Sequence, residues 1–330
     1  MILHPGVLAL LVASGAITGL LLYAAWHGAD IVRRWDLSSG SERQLALERR
    51  TYLLSTLLGW VLAFELVSIF LYVYTADSLA PLFTGAMCAA GSLKASAHGY
   101  TVLVLKIAGF VLAGLWLVVN HADQQGADYP LVRGKYAALL ALTPVLLAEA
   151  VLQADYFLSL RPEVITSCCG SLFGSRGVGV GSDLAALPPR HVAVAFLAAV
   201  AGAIAAAAAF RRWAWAGWAL AGLAAAALPL SLAAVISWLS PYVYELPTHH
   251  CPFCMLQAEY GWIGYPLYGA LLGGALSGMG VGVLMPFRGV PSLAMAVPRI
   301  QRRLAGASAA LFAAALLLVA WTVQSSQLRM

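Results

Sequence analysis

Charged residues are scarce in this chain, and their scarcity excludes a soluble protein. Asp, Glu, Lys and Arg make up 10% of the 330 residues, whereas soluble domains carry about 25%. Hydrophobic residues make up 62% of the sequence, and the mean hydropathy is +0.84. Only lipid can cover so much apolar surface, so the sequence predicts a polytopic protein of the lipid bilayer.

The sequence also lacks the motifs of several common functions. It holds no glycine-rich phosphate-binding loop and no nucleotide-binding motif. It has no Cys-x-x-Cys-His haem attachment either, because Met255 follows Cys254. The net charge of +5 does not indicate nucleic-acid binding, since in membrane proteins the placement of Lys and Arg matters more than their sum. Nucleic acid is therefore not an expected partner.

Eight apolar segments are long enough to cross a bilayer as helices, which takes about 20 residues each. We predict an all-α polytopic membrane helix bundle that forms a single integral membrane domain over 1–330. The predicted spans are approximately 6–29, 52–75, 100–121, 135–158, 190–210, 213–239, 260–286 and 304–326. A ninth apolar segment, 79–93, is too short to span and is predicted to be re-entrant or interfacial.

Lys and Arg are distributed unevenly over the predicted connections. If the first connection is cytoplasmic, thirteen of the 19 cationic residues fall on the inner side and five on the outer side. The positive-inside rule then places both chain termini outside. In a bacterial cell this describes a multi-pass protein of the inner membrane whose outer connections face the periplasm.

All five cysteines fall in predicted outer connections. They are Cys88, then Cys168 and Cys169 in a Gly/Ser-rich outer loop over 159–189, and finally Cys251 and Cys254. The periplasm permits disulfides, and an odd count leaves at least one thiol committed to something other than an internal disulfide. Because Cys168 and Cys169 are adjacent, ordinary disulfide geometry disfavours a bond between them. We expect these two to serve different partners or to bind one soft ion together.

The helices that follow the cysteine clusters all begin on the same predicted side of the membrane. Neighbouring helices pack about 8–10 Å apart, so thiols at their ends can converge. We predict that Cys251 or Cys254 lies within about 10 Å of Cys88 or of the cysteines in the 159–189 loop. Span 7 carries Gly269-x-x-x-Gly273 and Gly274-x-x-x-Gly278, spacings that favour close helix contact.

The stretch "THHCPFCMLQ", residues 248–257, concentrates reactive thiols and soft ligands. Proline is tolerated at the first helical position, which predicts Cys251 as a helix N-cap. A thiolate there would be stabilised by unpaired backbone N–H groups. The pattern favours thiol–disulfide exchange, with Cys251 attacking, Cys254 resolving and the loop cysteines carrying equivalents to a periplasmic thiol protein.

The same segment fits a second hypothesis, the binding or transfer of a soft metal. Thiolate, imidazole and thioether ligands suit Cu(I) or Zn, and copper would imply a metallochaperone as partner. The candidate ligands are Cys251, Cys254, His249, His250, Met255, Cys168 and Cys169. A third hypothesis is a haem-binding or purely structural membrane subunit.

Three charged residues lie deep within predicted spans, where each costs a few kcal/mol unless it is paired, protonated or hydrated. They are Glu65 in span 2, Lys106 in span 3 and Glu149 in span 4. One interpretation is an ion pair that fixes the packing of these spans. The other is a proton path or a polar pocket that binds the headgroup of a quinone. The residues leave both interpretations open.

The cysteine layout resembles that of the quinone-linked membrane thiol oxidoreductases, of the disulfide-bond-forming and vitamin K epoxide reductase types. In those proteins a Cys-x-x-Cys lies beside a quinone, and a second cysteine pair on an outer loop passes oxidising equivalents to a soluble partner. The resemblance implies the first role for Cys251 and Cys254 and the second for Cys168 or Cys169. It implies a membrane thiol–disulfide oxidoreductase with quinone as cofactor.

Overall fold

The computed structural model describes residues 1–36, 39–166 and 180–329. Within these ranges the chain forms helices and no strand, which confirms the all-α prediction. The α-helices are α1 (Pro5–Arg34), α2 (Glu42–Leu79), α3 (Ala89–Lys94), α4 (Gly99–Asp123), α5 (Val132–Ser159), α6 (Val180–Ala185), α7 (Pro189–Ala209), α8 (Ala216–Ala234), α9 (Ser240–Tyr244), α10 (Gly264–Val283) and α11 (Ala296–Ser325).

Eight helical segments of the described chain are long and apolar enough to cross a membrane, as predicted. They are Pro5–Arg34, Glu42–Leu82, Gly99–Asp123, Val132–Ser159, Pro189–Ala209, Ala216–Tyr244, Gly264–Gly289 and Ala296–Ser325. Large apolar side chains on these segments, such as Trp26, Trp60 and Leu317, are exposed, as contact with lipid requires. The direction in which the spans cross stays a prediction.

The chain divides into two compact units. Unit 1 comprises Met1–Thr75, Ser96–Leu160 and Pro286–Arg299. In this unit α5 packs against α1 and α4, and aliphatic side chains such as Leu21, Leu58 and Leu139 form its core. Helix packing in unit 1 thus buries one apolar face of each span.

Unit 1 also buries polar and charged side chains, and several of them have partners inside the protein. The Lys135 ammonium lies 2.6 Å from the carboxylate of Asp123, and both side chains are fully buried. Lys135 also donates to Asn120 Oδ1 at 3.1 Å, and the backbone N–H of Leu131 donates to Asp123 at 2.8 Å. Because lipid offers no hydrogen bonds, such pairs keep charge in the span at a tolerable free-energy cost.

Unit 2 comprises Ala76–Ala95, Arg161–Met285 and Ile300–Met330. Its central helix, α8, packs against α7 and α10, and small residues line the contacts. The contact with α10 is close because Gly278 faces Ala224 of α8 and Ser308 of α11. The glycine spacing of span 7 predicted a close helix contact. That contact is present at Gly278, whereas Gly269 faces open space.

Two irregular segments of unit 2 matter for the site. The apolar stretch 79–93 folds as a 3-10 turn (Ala80–Leu82) followed by the six-residue α3, and no span-length helix forms there. Between α8 and α9 the helix widens into one π-helical segment, Val235–Leu239. Single π-turns of this kind occur where a helix holds an extra residue, and they are frequent at functional sites.

We expect Gly278→Ala to destabilise the protein, because a methyl group at this position would lie 2.5 Å from Ala224 Cβ and 3.0 Å from Ser308 Oγ. Overpacking of this kind costs about 1–3 kcal/mol. Gly269→Ala on the same helix is the matched control, since its methyl group meets no atom within 4 Å. Thermal unfolding in detergent should show a lower midpoint for Gly278→Ala alone, and equal midpoints would contradict the close contact.

Candidate metal centre

Three thiols of unit 2 come together in the fold. The Sγ atoms of Cys88, Cys251 and Cys254 all lie within 4.8 Å of one another. The Sγ atoms of Cys88 and Cys251 are 3.6 Å apart, which is in contact but well beyond a disulfide bond of about 2.05 Å. This confirms the predicted convergence of Cys88 with the Cys-x-x-Cys pair. Cys88 and Cys251, which are 163 positions apart in the sequence, are therefore neighbours in the fold.

Cys88 is held by a turn at the beginning of α3. It occupies the N-cap position of that helix with an extended backbone, φ −157° and ψ −179°. Gly85 precedes it with φ +88°, a left-handed conformation that glycine adopts without strain. The carbonyl of Thr84 accepts from the backbone N–H of Thr166 at 3.0 Å. The turn thus presents Cys88 towards the interior of unit 2, where its side chain is fully buried.

The Cys251 backbone is fixed by the helical segment that follows the π-turn. Tyr244 and Ser240 of α9 both donate their hydroxyls to the Cys251 carbonyl, at 2.6 Å and 3.4 Å. The next carbonyl, that of Pro252, accepts from the Tyr268 hydroxyl of α10 at 2.5 Å. Side chains from two helices therefore set where the first thiol of the pair lies.

The predicted N-cap role of Cys251 is wrong. Cys254 begins a 3-10 turn, Cys254–Leu256, and that turn ends at Gln257, whose backbone is extended with φ −89° and ψ 159°. The α-helix of span 7 begins only at Gly264. Pro252 and the run "MLQAEYG" after Cys254 were compatible with a helix start, but the extended Gln257 and the left-handed Gly261, φ +64°, turn the chain before α10.

Two polar side chains connect the segment that carries Cys88 to the segment that carries Cys254. Asp77 Oδ1 accepts from the backbone N–H of Ala89 at 2.9 Å and from Gln257 Nε2 at 3.2 Å. Gln257 Nε2 also donates to the Met87 carbonyl at 2.9 Å. Since Met87 and Ala89 flank Cys88, this Asp77–Gln257 clamp sets the distance between the thiols.

The predicted ligands His249 and His250 are not members of the cluster, and they and Met255 have other contacts. His250 Nδ1 donates to the Ile236 carbonyl of the π-turn at 2.9 Å. The ring of His249 packs on Tyr244 with centroids 4.2 Å apart. The Sδ atom of Met255 accepts from the Tyr268 hydroxyl at 3.2 Å. Their roles as metal ligands stay predictions, and Cys168 and Cys169 lie outside the described residues.

Burial determines what the thiol cluster can do. Cys88 and Cys251 are 0% exposed and Cys254 is 4% exposed. Three thiolates without a counter-charge are not sustained in such an apolar setting, because burying unpaired charge costs many kcal/mol. The group therefore either stays protonated or deprotonates around a cation that compensates the charge.

The residues predicted to bind a cofactor are in unit 1. Glu65, Lys106 and Glu149 lie on α2, α4 and α5, and their side chains contact one another. The ion pair proposed between these spans is therefore present. The quinone role of these residues stays a prediction.

The side chains that position the thiols did not stand out in the sequence. Tyr244 and Tyr268 belong to aromatic clusters at span ends, a pattern typical of interfacial anchors. Asp77 and Gln257 offered a weaker signal, as polar residues close to Cys88 and Cys254 in the sequence.

Comparisons of the chain with protein-family models, with curated proteins and with solved structures found no match.

We expect Asp77→Ala and Gln257→Ala to increase the reactivity of Cys88 towards an alkylating agent. Each substitution removes bonds that hold Met87 and Ala89 near the Cys254 turn, so the buried thiol becomes accessible more often. Peptide-resolved mass spectrometry of timed alkylation would measure the rate. Glu259→Gln, a change at an exposed carboxyl two residues from Gln257, should leave it unchanged. Equal rates in all variants would refute the clamp.

Proposed function

We propose that Cys88, Cys251 and Cys254 form a binding site for one soft metal ion, and that Cu(I) is its occupant. The observation that carries this proposal is the convergence of three Sγ atoms within 4.8 Å. Three sulfurs at about 2.3 Å from one ion lie about 4 Å from each other. The spacing of the thiols therefore suits a single ion with only small side-chain shifts.

The ligand set favours Cu(I) over Zn(II). Structural zinc is almost always bound by four protein ligands. In the described part of the chain this cluster comprises three cysteines and no His, Asp or Glu. Soft thiolates select Cu(I), and Cu(I) is stable with three sulfur ligands. The Met255 thioether lies beside the site. The Tyr268 hydroxyl contacts both the Met255 Sδ atom and the carbonyl of Pro252, the residue that follows Cys251.

The surroundings of the cluster support retention of an ion. The carbonyls of Cys251 and Pro252 are both bonded to tyrosine hydroxyls, so the backbone of the site is rigid. Such preorganisation raises affinity, since little ordering is needed when the ion binds. The protein would then hold copper, or pass it on, within a multi-pass membrane protein.

We expect the purified protein to bind about one Cu(I) per chain after anaerobic loading, and to lose that ion in Cys88→Ser, Cys251→Ser and Cys254→Ser. A Cys168→Ser/Cys169→Ser background leaves the cluster cysteines as the only thiols. Elemental analysis gives the stoichiometry, and X-ray absorption should show sulfur at about 2.3 Å.

The control for copper loading is Met295→Leu, which changes an exposed methionine of unit 1. It should bind as much copper as the background protein. Copper that stays bound in all three serine variants, or that never binds at stoichiometric level, would overturn the proposal. Tighter binding of Zn(II) than of Cu(I) would retain the site and correct its occupant.

The contact between Cys88 and Cys251 supports a second function, thiol–disulfide redox. Their Sγ atoms, 3.6 Å apart, would need to approach to about 2.05 Å to bond. In that step both S–H bonds break, the sulfurs bond to each other, and two electrons and two protons pass to an acceptor. Burial limits access by a soluble thiol protein, so a quinone in the bilayer is the acceptor this geometry favours.

Acid trapping followed by differential alkylation distinguishes the two functions. If the site is redox-active, we expect a short-chain quinone to convert Cys88 and Cys251 into a disulfide, and Cys254→Ser to retain this reaction. If the site binds metal, the three thiols stay reduced under quinone and become protected from alkylation by Cu(I). Thiols that remain reduced and unprotected under both treatments would contradict both functions.

A further inference from the structure

A buried charged cluster in unit 1 lies outside the thiol site and is not used by its chemistry. Lys106 of α4, 1% exposed, lies between Glu65 of α2, 3% exposed, and Glu149 of α5, 2% exposed. Its Nζ atom is 2.6 Å from Glu149 Oε1 and 3.6 Å from Glu65 Oε1. All three residues belong to helices long and apolar enough to span a membrane.

The hydrogen bonds of this cluster leave one oxygen without a donor. Lys106 donates to Glu149 Oε1 and, at 3.0 Å, to Ser68 Oγ. The Ser68 hydroxyl is within 2.9 Å of Glu65 Oε1. Glu149 Oε2 is buried and has no hydrogen-bond partner, and the carboxyl groups of Glu149 and Glu65 are neighbours, because both contact Lys106 Nζ. Two ionised carboxylates cannot bond, because both only accept.

The formal charges also show that the cluster lacks one positive charge. Two carboxylates and one ammonium sum to one negative charge, and an uncompensated charge inside a span is costly. One proton between the carboxyl groups both neutralises that charge and supplies the missing donor. A sodium ion is a poor substitute, because hard cations need several oxygen ligands and the Lys106 ammonium already contacts one oxygen of each carboxyl group.

We propose that Glu65, Lys106 and Glu149 form a binding site for one exchangeable proton within the membrane-spanning helices of unit 1. The proton bridges the two carboxyl groups, while Lys106 neutralises the remaining charge. Because the three residues come from α2, α4 and α5, release of the proton would leave two anions facing each other and would loosen the contact between α2 and α5. Proton uptake is thereby coupled to the packing of three spans.

The neighbouring groups do not replace this proton. The ring of Tyr72 is 5.8 Å from Lys106 Nζ, but its hydroxyl donates to the Gly99 carbonyl at 2.9 Å. From the α1 side of α5 the polar neighbours are the Leu10 carbonyl and the Ser14 hydroxyl, which bond to Gln153. Both are uncharged, so Glu65 and Glu149 are the groups that exchange the proton.

Infrared difference spectroscopy of the full-length protein in nanodiscs tests this site, because a protonated carboxyl group has its own C=O stretching band. We expect that band near neutral pH and its loss on titration to alkaline pH. Glu149→Gln and Glu65→Gln should each abolish it, since the one remaining carboxylate pairs with Lys106. Asp30→Asn, at an exposed ion pair with Arg34, is the control and should retain the band.

A second variant keeps the test informative if one of these proteins folds poorly. Lys106→Met removes the positive charge, so both carboxyl groups should be protonated and the band should gain intensity about twofold. Absence of the band in the wild type, its persistence in both Gln variants, or no gain in Lys106→Met would each overturn the proposal. Loss of the band on addition of sodium at constant pH would assign the site to that ion and would also overturn it.

Discussion

The absence of water inside a bilayer is the constraint on which the rest of this structure depends. Every buried polar group must find its partner within the protein, since an unsatisfied one costs several kcal/mol. The Lys135–Asp123 pair meets this requirement with Asn120 and a backbone N–H. The Lys106 cluster meets it only when a proton is added. The thiol cluster meets it in two ways, as three neutral thiols or as thiolates around a cation. In each case the local balance of charge determines which chemistry is available.

The constraint also explains why so much of the fold could be predicted. Apolar segments of about 20 residues separated by charged connections indicate spans directly, and eight were found where eight were expected. Helix ends differ from the predicted ones by several residues because spans such as Glu42–Leu82 continue beyond the apolar stretch. The short segment at 79–93 was recognised for the same reason, since its length excludes a crossing. How it folds, with Gly85 in a left-handed conformation, depends on contacts that hydropathy does not report.

The site was predictable in part. Cys251 and Cys254 stand out by their spacing, and their convergence with Cys88 was expected because all three were predicted on the same side of the membrane. The helix N-cap expected at Cys251 did not form, because the extended Gln257 interrupts the chain before α10. The role of Gln257 depends on Asp77, 180 positions away in the sequence. Single-residue patterns cannot reveal a contact of that range. Nor do they reveal that His249 and His250 would be engaged by Tyr244 and by the Ile236 carbonyl.

The π-helical segment Val235–Leu239 has a consequence for how this site tolerates changes in chain length. A helix advances about 100° per residue, so one residue more or fewer rotates everything downstream by more than a quarter of a circle. The widened turn accommodates one extra residue, and after it Ser240 and Tyr244 face the Cys251 carbonyl. The same widening leaves the Ile236 carbonyl to accept from His250. Deletion of one residue between 235 and 239 would restore a regular helix and remove the free Ile236 carbonyl, while Tyr244 would still face the Cys251 carbonyl. The widened turn is therefore the place in this helix where a change of one residue in length can be absorbed.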